Sequence, residues 1–197
     1  MNIAITGHKH GLGQSIYNKL CYYNKGSGHQ VVGFDIENGY DIGNRLQMGK
    51  ILFESKECQV FINNAYHPTG QTELLKFLLK MWEGKPKVIV NIGTFFVNEK
   101  SKDWIKNQNH EIYLEQKKIQ RDLIRSRIDN NLKIIQVNPG LMKTQFLHVM
   151  NPSTVDISKD EYIRTVDCAD AVVYALDLLN KNIFIPEIDL LDKRLYN

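Results

Sequence analysis

Residues 6–13 read TGHKHGLG and come directly after the apolar run NIAI (2–5). Three of these eight residues are glycines, at positions 7, 11 and 13. Glycine permits a tight reversal, and it lets a ligand approach the backbone where a side chain would block it. If a helix begins here, its free N–H groups and positive dipole end favour phosphate. The stretch therefore predicts a strand–turn–helix unit of the dinucleotide-binding type.

Short apolar runs alternate with segments of helical spacing along the rest of the chain. The runs predict strands at 2–6, 30–35, 58–63, 87–93, 133–139 and 182–190. The helical segments are 12–24, about 43–56, 71–82, about 108–128 and 168–180. This alternation predicts an α/β fold, namely a doubly wound Rossmann-type domain with helices on both faces of a mostly parallel sheet of six or seven strands. We expect one domain over 1–197, with a cofactor half at about 1–92 and a catalytic and substrate half at about 93–197.

Composition excludes several classes of function. The chain has 197 residues, 43% of them apolar, and a net charge of +3, which fits one core. No Lys/Arg block predicts a nucleic-acid partner. No apolar run approaches the ~20 residues that cross a bilayer, and the N-terminus lacks a signal-peptide pattern. The three cysteines lie far apart, at 21, 58 and 168, as in reduced proteins. We expect a soluble cytoplasmic protein without a membrane partner.

The second predicted strand, QVVGFD, ends in Asp35. A carboxylate at this position can bind both hydroxyls of an adenine ribose, and it repels a 2′-phosphate. It therefore favours NAD(H), although an exposed loop acid is the alternative interpretation. Lys9 and the neighbouring histidines would tolerate a 2′-phosphate, so NADP(H) stays open. His8, His10 and His67 lack matching cysteine or carboxylate partners, so we predict no metal site.

Five segments, in order, resemble the motifs of the short-chain dehydrogenase/reductase family. TGHKHGLG (6–13) fits its glycine loop, and NNAY (63–66) resembles its N-N-A-G segment. NIGT (91–94) stands at the place of its catalytic serine, YLEQK (113–117) fits Y-x-x-x-K, and NPGLMKT (138–144) fits P-G-x-x-x-T. About one Tyr-x-x-x-Lys pair is expected by chance in such a sequence. The position of this pair, between NIGT and NPG, is what carries weight.

The resemblance implies a catalytic group of Tyr113, Lys117 and Thr94. Tyr113 and Lys117 are four residues apart, so they share one face of a helix. A nearby ammonium and the positive nicotinamide lower the pKa of a tyrosine, which can then act as general acid or base. Lys117 would also bind the nicotinamide ribose, and Thr94 would donate to the substrate oxygen. The alternatives are an amphipathic pair on a surface helix and a plain hydroxyl at a strand end.

The resemblance also implies a set of residues that contact the cofactor. Asp41 and Ile42 would touch the adenine, although Asp41 is equally compatible with a helix N-cap. Asn64 and Ala65 would border the adenine side unless they only shape a turn. Pro139 and Gly140 would form a wall of the nicotinamide pocket unless they only end a strand. The full set is Gly7, His8, Gly11, Leu12, Gly13, Asp35, Ile36, Asp41, Ile42, Asn64, Ala65, Tyr113, Lys117, Pro139 and Gly140.

The sequence also departs from the family pattern. Tyr66 replaces the glycine of N-N-A-G, and no asparagine occurs in 65–90, where the family has one that supports a proton relay. The short segment FDIENGYD (34–41) predicts that the helix that normally follows the second strand is missing. Substrate specificity should lie in 95–110 and 141–166, where Phe95, Phe96 and Trp104 would line a pocket or simply pack.

Together these features predict an NAD(P)(H)-dependent oxidoreductase that interconverts an alcohol and a carbonyl on a small molecule. One alternative is a dinucleotide-binding regulator or scaffold that is catalytically weak or inactive. Another is a nucleotide-sugar epimerase or dehydratase. The family resemblance further implies a homodimer or homotetramer. Apolar residues of the 108–128 helix, such as Ile112 and Ile119, would serve either a core or a partner.

Overall fold

The computed structural model describes residues 1–27, 30–97, 108–127, 129, 131–142, 144 and 162–191. Its strands are β1 (Asn2–Thr6), β2 (Gln30–Phe34), β3 (Val60–Asn63), β4 (Val88–Ile92), β5 (Lys133–Pro139) and β6 (Glu187–Leu190). They form one six-stranded sheet in the order β2-β1-β3-β4-β5-β6, and every neighbouring pair is parallel. The predicted α/β class and sheet are confirmed.

Helices connect the strands in the predicted alternation. The described residues contain α1 (Gly11–Ser27), α2 (Arg45–Glu54), α3 (Gly70–Met81), α4 (Gln108–Arg125) and α5 (Thr165–Asn180). Two single 3₁₀ turns follow strand ends, at Ile36–Asn38 and Phe95–Val97. None of the helices in this part of the chain combines the length and apolarity needed to cross a membrane.

Each face of the sheet has its own apolar core. On one face, Ile16 of α1 and Val172 of α5 pack against residues of the central strands such as Val90. On the other face, Ile51 of α2 and Leu78 of α3 pack against the opposite side of the same strands. Because both faces are covered, all four residues of β3 are buried, which explains why the strand begins with three consecutive apolar residues.

The connection after β2 is short, as the sequence indicated. A 3₁₀ turn follows Asp35 directly, and the next helix begins only at Arg45. Asn44 is the N-cap of α2, since its side chain accepts hydrogen bonds from Leu46 and Gln47. The interpretation of Asp41 as an N-cap is therefore wrong. Asp41 instead accepts from the N–H of Gly43 at 2.7 Å and closes a local turn.

The strand order places a crevice at the carboxyl edge of the sheet. From β1 the chain passes to β2 on one side, and β3 then pairs with β1 on the other side. Loops therefore diverge beyond these strand ends, and ligands of open α/β sheets bind at such a switch point.

All three cysteines are free, with Cys58 and Cys168 buried. Trp104, the rest of 98–107 and most of 141–161, where substrate specificity is expected, lie outside the described residues.

Candidate active site

The glycine turn after β1 is held in a shape that needs glycine. Gly7 and Gly11 have φ angles of +69° and +54°, in the left-handed region. A Cβ atom on Gly13 would lie 1.9 Å from the carbonyl oxygen of Gly7. The first turn of α1 therefore packs directly on the backbone of the loop. The N–H of Gly7 donates to the carbonyl of Phe34 at 2.8 Å, which joins the turn to the end of β2.

Asn64 and Ala65 fasten this turn to the end of β3. The hydroxyl of Thr6 accepts hydrogen bonds from the N–H groups of Asn64 and Ala65, at 3.1 and 3.0 Å. The side-chain amide of Asn64 donates to the carbonyls of Thr6 and Gly7, at 3.0 and 3.3 Å. The NNA segment thus has a structural task, because it fixes the two loops that border the crevice.

Asp35 lies at the rim of the crevice with its carboxylate already oriented. Its side chain is only 7% exposed, so the interpretation as an exposed loop acid is wrong. One carboxylate oxygen accepts from the N–H of Lys9 at 3.2 Å, and the other accepts from the N–H of Glu37 at 3.2 Å. His10 pairs with Glu37 at 2.5 Å, and this hydrogen bond raises the pKa of His10. The charge of His10 is therefore engaged by Glu37.

Four other predicted cofactor residues differ in how far a ligand could reach them. Ile36 is 69% exposed beside Asp35, where a ligand can reach it. The side chains of Leu12 and Ile42 are packed in the two cores, so they cannot offer a broad contact to an adenine. The ring of His8 lies against Gly33, where a Cβ would meet it at 2.4 Å, and it contacts the Tyr17 ring in a tilted arrangement, with ring centres 5.0 Å apart.

Thr94, Tyr113 and Lys117 meet where β4 ends and α4 passes over the sheet. A hydrogen bond joins the side chains of Thr94 and Tyr113. The Thr94 hydroxyl also lies 3.4 Å from the carbonyl oxygen of Pro139, to which it donates. The Nζ atom of Lys117 is 5.4 Å from the centre of the Tyr113 ring. Since Lys117 is only 3% exposed, the interpretation as a pair on a surface helix is wrong.

Burial dominates the electrostatics of this group. It raises the pKa of Tyr113, and the hydrogen bond with Thr94 opposes this shift only in part. It lowers the pKa of Lys117 from 10.5 to about 7. The lowered tyrosine pKa expected from sequence is therefore not found in this structure, because removal of the phenolate from water outweighs its neighbours. That expectation relied partly on the charge of an oxidised nicotinamide.

Two residues close to Tyr113 and Lys117 were not predicted as site residues from the sequence. Tyr66 packs edge-on against Tyr113, with ring centres 5.2 Å apart. The side-chain oxygen of Gln71 accepts a hydrogen bond from Lys117 at 2.7 Å. Tyr66 had a signal, because it departs from the glycine of the motif. Gln71 had none, since no motif covers the first turn of α3.

The segment after β5 closes the crevice on the side of Gly140. The N–H of Gly140 donates to the carbonyl of Leu190 at 2.8 Å, which ties the turn to β6. The methyl group of Thr144 lies 3.6 Å from the place that a Cβ on Gly11 would take. The end of the NPGLMKT segment thus returns to the glycine turn. No group of three or more metal-ligating side chains occurs in the described ranges.

Solved structures with the same architecture cover nearly all of this chain. A 3-α-hydroxysteroid dehydrogenase from Pseudomonas, solved with NADH, is 15% identical with a TM-score of 0.68 and covers 100% of this chain and 98% of its own. A 3-ketoacyl-(acyl-carrier-protein) reductase from Brucella melitensis, also solved with NADH, is 16% identical with a TM-score of 0.68 and covers 98% and 97%. An alcohol dehydrogenase from Thermococcus sibiricus, with 5-hydroxy-NADP, is 15% identical with a TM-score of 0.67 and covers 96% of each.

The fold is that of the short-chain dehydrogenases. No protein-family model matches the chain, and no curated protein matches its sequence. At identities near 15%, the similarity to short-chain dehydrogenases shows a shared backbone fold. It does not by itself show a shared reaction. The chemistry that this chain can perform depends on the side chains at the carboxyl edge of the sheet.

Proposed function

We propose that this protein is an NAD(P)(H)-dependent oxidoreductase of the short-chain dehydrogenase/reductase type. It would interconvert an alcohol and a carbonyl on a small molecule by hydride transfer. The observation that carries this proposal is the meeting of Thr94, Tyr113 and Lys117 beside Pro139, at the same edge of the sheet as the glycine turn. A fold with a ligand crevice and a proton-transfer group at that crevice fits this chemistry.

The residues around the crevice fit a dinucleotide. Gly11 is exposed at the start of the 17-residue helix α1, so a phosphate can approach the free N–H groups of its first turn. Asp35 and Ile36 would hold the adenosine ribose, with Asn64 and Ala65 behind them. Pro139 and Gly140 would border the nicotinamide. When bound, the cofactor would supply or accept the hydride.

Tyr113 would move the proton that accompanies the hydride. Its hydroxyl would protonate the substrate oxygen during reduction, or accept the proton during oxidation. Because burial raises the pKa of Tyr113, the neutral phenol dominates near pH 7, and this is the form that a general acid needs. Thr94 would donate a hydrogen bond to the same oxygen. Lys117 would place positive charge under the Tyr113 ring and bind the nicotinamide ribose.

We propose NAD(H) as the preferred cofactor, with NADP(H) as the alternative. Asp35 supports this choice, because its buried carboxylate is held at the end of β2 by two backbone N–H groups. The pairing of His10 with Glu37 further reduces the positive charge available to a 2′-phosphate. The solved structures with this fold do not discriminate, since their ligands include both NADH and NADP.

Other parts of the proposal come from the family resemblance. They are the small-molecule substrate, the division into a cofactor half (about 1–92) and a catalytic half (about 93–197), and a homodimer or homotetramer. The adenine contact of Asp41 and Ile42 also belongs here, and it would involve little of the Ile42 side chain, which is packed in the core. The proposed cytoplasmic location rests instead on the composition and the spacing of the cysteines. A regulator or scaffold without turnover is the main alternative function, and an epimerase or dehydratase is the second.

The proposal predicts that Tyr113→Phe abolishes turnover and leaves cofactor affinity within a few-fold of wild type, because the phenol touches the reacting oxygen and not the pyrophosphate. Titration with NADH and with NADPH, followed by nicotinamide fluorescence, measures affinity. A screen of alcohols and carbonyls, followed at the NADH absorbance, measures turnover. Tyr174→Phe is the matched control, since Tyr174 is 60% exposed on α5.

The outcomes separate the candidate functions. Binding of NADH with turnover that Tyr113→Phe removes supports the dehydrogenase. Binding without turnover on any alcohol or carbonyl supports the regulator or scaffold. Failure to bind either cofactor would overturn the proposal as a whole.

A further inference from the structure

Lys117 is a buried ammonium whose hydrogen-bond acceptors are both uncharged. Its Nζ atom donates to the side-chain oxygen of Gln71 at 2.7 Å and to the carbonyl oxygen of Ile92 at 2.6 Å. Among the described residues, no carboxylate forms an ion pair with it. A buried charge is normally paired, so an ammonium held only by neutral oxygens is an unusual arrangement.

Gln71 is oriented for this contact by the backbone of two strands. Its side chain is fully buried, and its Nε2 atom donates to the carbonyls of Asn63 and Ile92, at 2.9 and 3.2 Å. The amide nitrogen must therefore face the sheet, which leaves the amide oxygen to face Lys117. The side chain of Asn63 in turn donates to the main-chain carbonyl of Gln71 at 3.2 Å. The glutamine is thus fixed at both its side chain and its backbone.

We propose that Gln71 is the positioning residue of this site, and that it anchors Lys117 beside Tyr113 through a neutral acceptor without providing a counter-ion. An amide oxygen accepts a hydrogen bond from an ammonium, more strongly, and also from a neutral amine, so the lysine keeps an acceptor in either protonation state. A carboxylate in the same place would hold the lysine permanently charged. This inference gives Gln71 a catalytic purpose only if the proposed function is correct.

The groups that face Lys117 make it sensitive to pH near neutrality. From its own helix it faces Tyr113, which is titratable, and Arg121 lies one turn further on. From α3 it faces Gln71, from β4 it faces the carbonyl of Ile92, and both are uncharged. Tyr66, from the loop after β3, packs against the Tyr113 ring. Burial without a counter-ion lowers the pKa of Lys117 to about 7.

Nuclear magnetic resonance of the full chain labelled with ¹³C-lysine tests this inference without cofactor or substrate. The ε-methylene signal of Lys117, assigned by its loss in Lys117→Met, is followed from pH 5 to 10. In wild type it should titrate close to neutral pH and show a nuclear Overhauser effect to the Tyr113 ring. Gln71→Glu adds a counter-ion and should move this titration upward by at least about one pH unit. Gln71→Met removes the acceptor and should weaken the contact with the Tyr113 ring.

Gln120→Met is the matched control, because Gln120 is also a buried glutamine of the same layer. Its side chain is hydrogen-bonded to Thr72 and Asn91, whereas Lys117 is hydrogen-bonded to Gln71 and Ile92, so the loss of Gln120 should leave the Lys117 titration unchanged. If Gln71→Glu titrates like wild type, the positioning role is overturned. It is also overturned if Gln71→Met folds and keeps the contact with Tyr113. Should Gln71→Met fail to fold, Gln71→Glu decides alone.

The same variants separate this inference from the proposed function. NADH affinity, measured in parallel, should change little in Gln71→Glu, whereas kcat should fall and its pH profile should move with the Lys117 titration. Suppose that the Lys117 signal changes in the Gln71 variants but the protein binds no cofactor. The role of Gln71 in holding Lys117 would then stand, and the proposed dehydrogenase function would be refuted. An unresponsive signal in an active enzyme would refute only the role of Gln71.

Discussion

A single missing side chain, at Gly13, allows the glycine turn and helix α1 to touch. We predict that Gly13→Ala destabilises the protein by about 1–3 kcal/mol, because the new Cβ would lie 1.9 Å from the Gly7 carbonyl oxygen and force the loop away. It should also weaken NADH binding at least tenfold, since the same loop is proposed to receive the pyrophosphate. Urea denaturation measures the first effect and fluorescence titration the second.

Gly49→Ala should change the stability of the protein in the opposite direction. Gly49 lies inside α2 with open space around it, so a Cβ there meets nothing within 4 Å. Alanine should therefore stabilise the protein by about 0.5–1 kcal/mol, through the better helix propensity alone. Equal effects of the two substitutions would contradict the close packing described for Gly13.

Lys117 links the stability of the fold to pH. Its pKa is about 7 in the folded protein and 10.5 when unperturbed, so between these values the unfolded chain binds a proton that the folded protein does not. The free energy of unfolding should therefore rise with pH from 7 to 10.5, by up to about 1.4 kcal/mol per pH unit from this group. Below pH 7 the penalty of the buried charge is present in full.

Comparison with Lys117→Met isolates this contribution. The difference in unfolding free energy, wild type minus variant, should increase between pH 7 and pH 9 when both are unfolded in urea. Lys118→Met controls for the loss of a positive charge, because Lys118 is exposed on the same helix. A difference that stays constant across this range would show that Lys117 keeps its proton in the folded protein.

At the scale of single elements, helix α2 depends on its N-cap residue, Asn44. The Asn44 side chain accepts hydrogen bonds from two N–H groups of the first turn, at 3.0 and 3.3 Å. We predict that Asn44→Ala lowers the free energy of unfolding by about 1 kcal/mol, whereas Asn44→Ser retains most of the cap. Urea denaturation of the three proteins checks this. A loss shared by both variants would place the effect outside the cap.

The elements themselves were predictable because their signals are local. The predicted strand 133–139 has the bounds of β5, and the strand 2–6 has those of β1. Runs of β-branched residues mark strands that are buried on both faces, and helical spacing marks the segments that cover them. The cap of α2 was the exception, since Asp41 and Asn44 are both good capping residues and only the chain path selects between them.

At the scale of the whole molecule, polar side chains cross the sheet beneath the crevice. Hydrogen bonds connect Asn63 of β3 to Asn91 of β4, and Asn91 to Gln136 of β5, at 2.8 and 2.9 Å. Gln136 continues to Asn138, whose side chain donates to Glu187 and Asp189 of β6. This row of amides carries hydrogen bonds across a mostly apolar sheet, although the side-chain oxygen of Asn63 has no hydrogen-bond partner among the described residues.

Binding of a cofactor should stabilise the whole fold, since the proposed crevice is bordered by the carboxyl ends of β1, β2, β3, β4 and β5. At a free NADH concentration of 100 times the dissociation constant, linkage adds about 2.7 kcal/mol, which corresponds to a rise in Tm of about 5–10 °C for a chain of this length. Differential scanning fluorimetry measures it. NADPH should give a smaller rise at the same concentration, and Gly13→Ala should show little rise with either. An unchanged Tm at millimolar cofactor would argue against binding.

The amino-acid sequence by itself determined the order of strands and helices, the parallel sheet, the glycine turn and the pairing of Tyr113 with Lys117 on one helix face. Each of these follows from residues that are close in the chain, where spacing and backbone preference act directly. Only the tertiary structure decided what Lys117 meets. Gln71 is 46 residues away from it, on a different helix, and the contact exists because α3 and α4 pack side by side over β3 and β4. The same holds for the Asp35 carboxylate, which is oriented by the N–H of Lys9, 26 residues earlier.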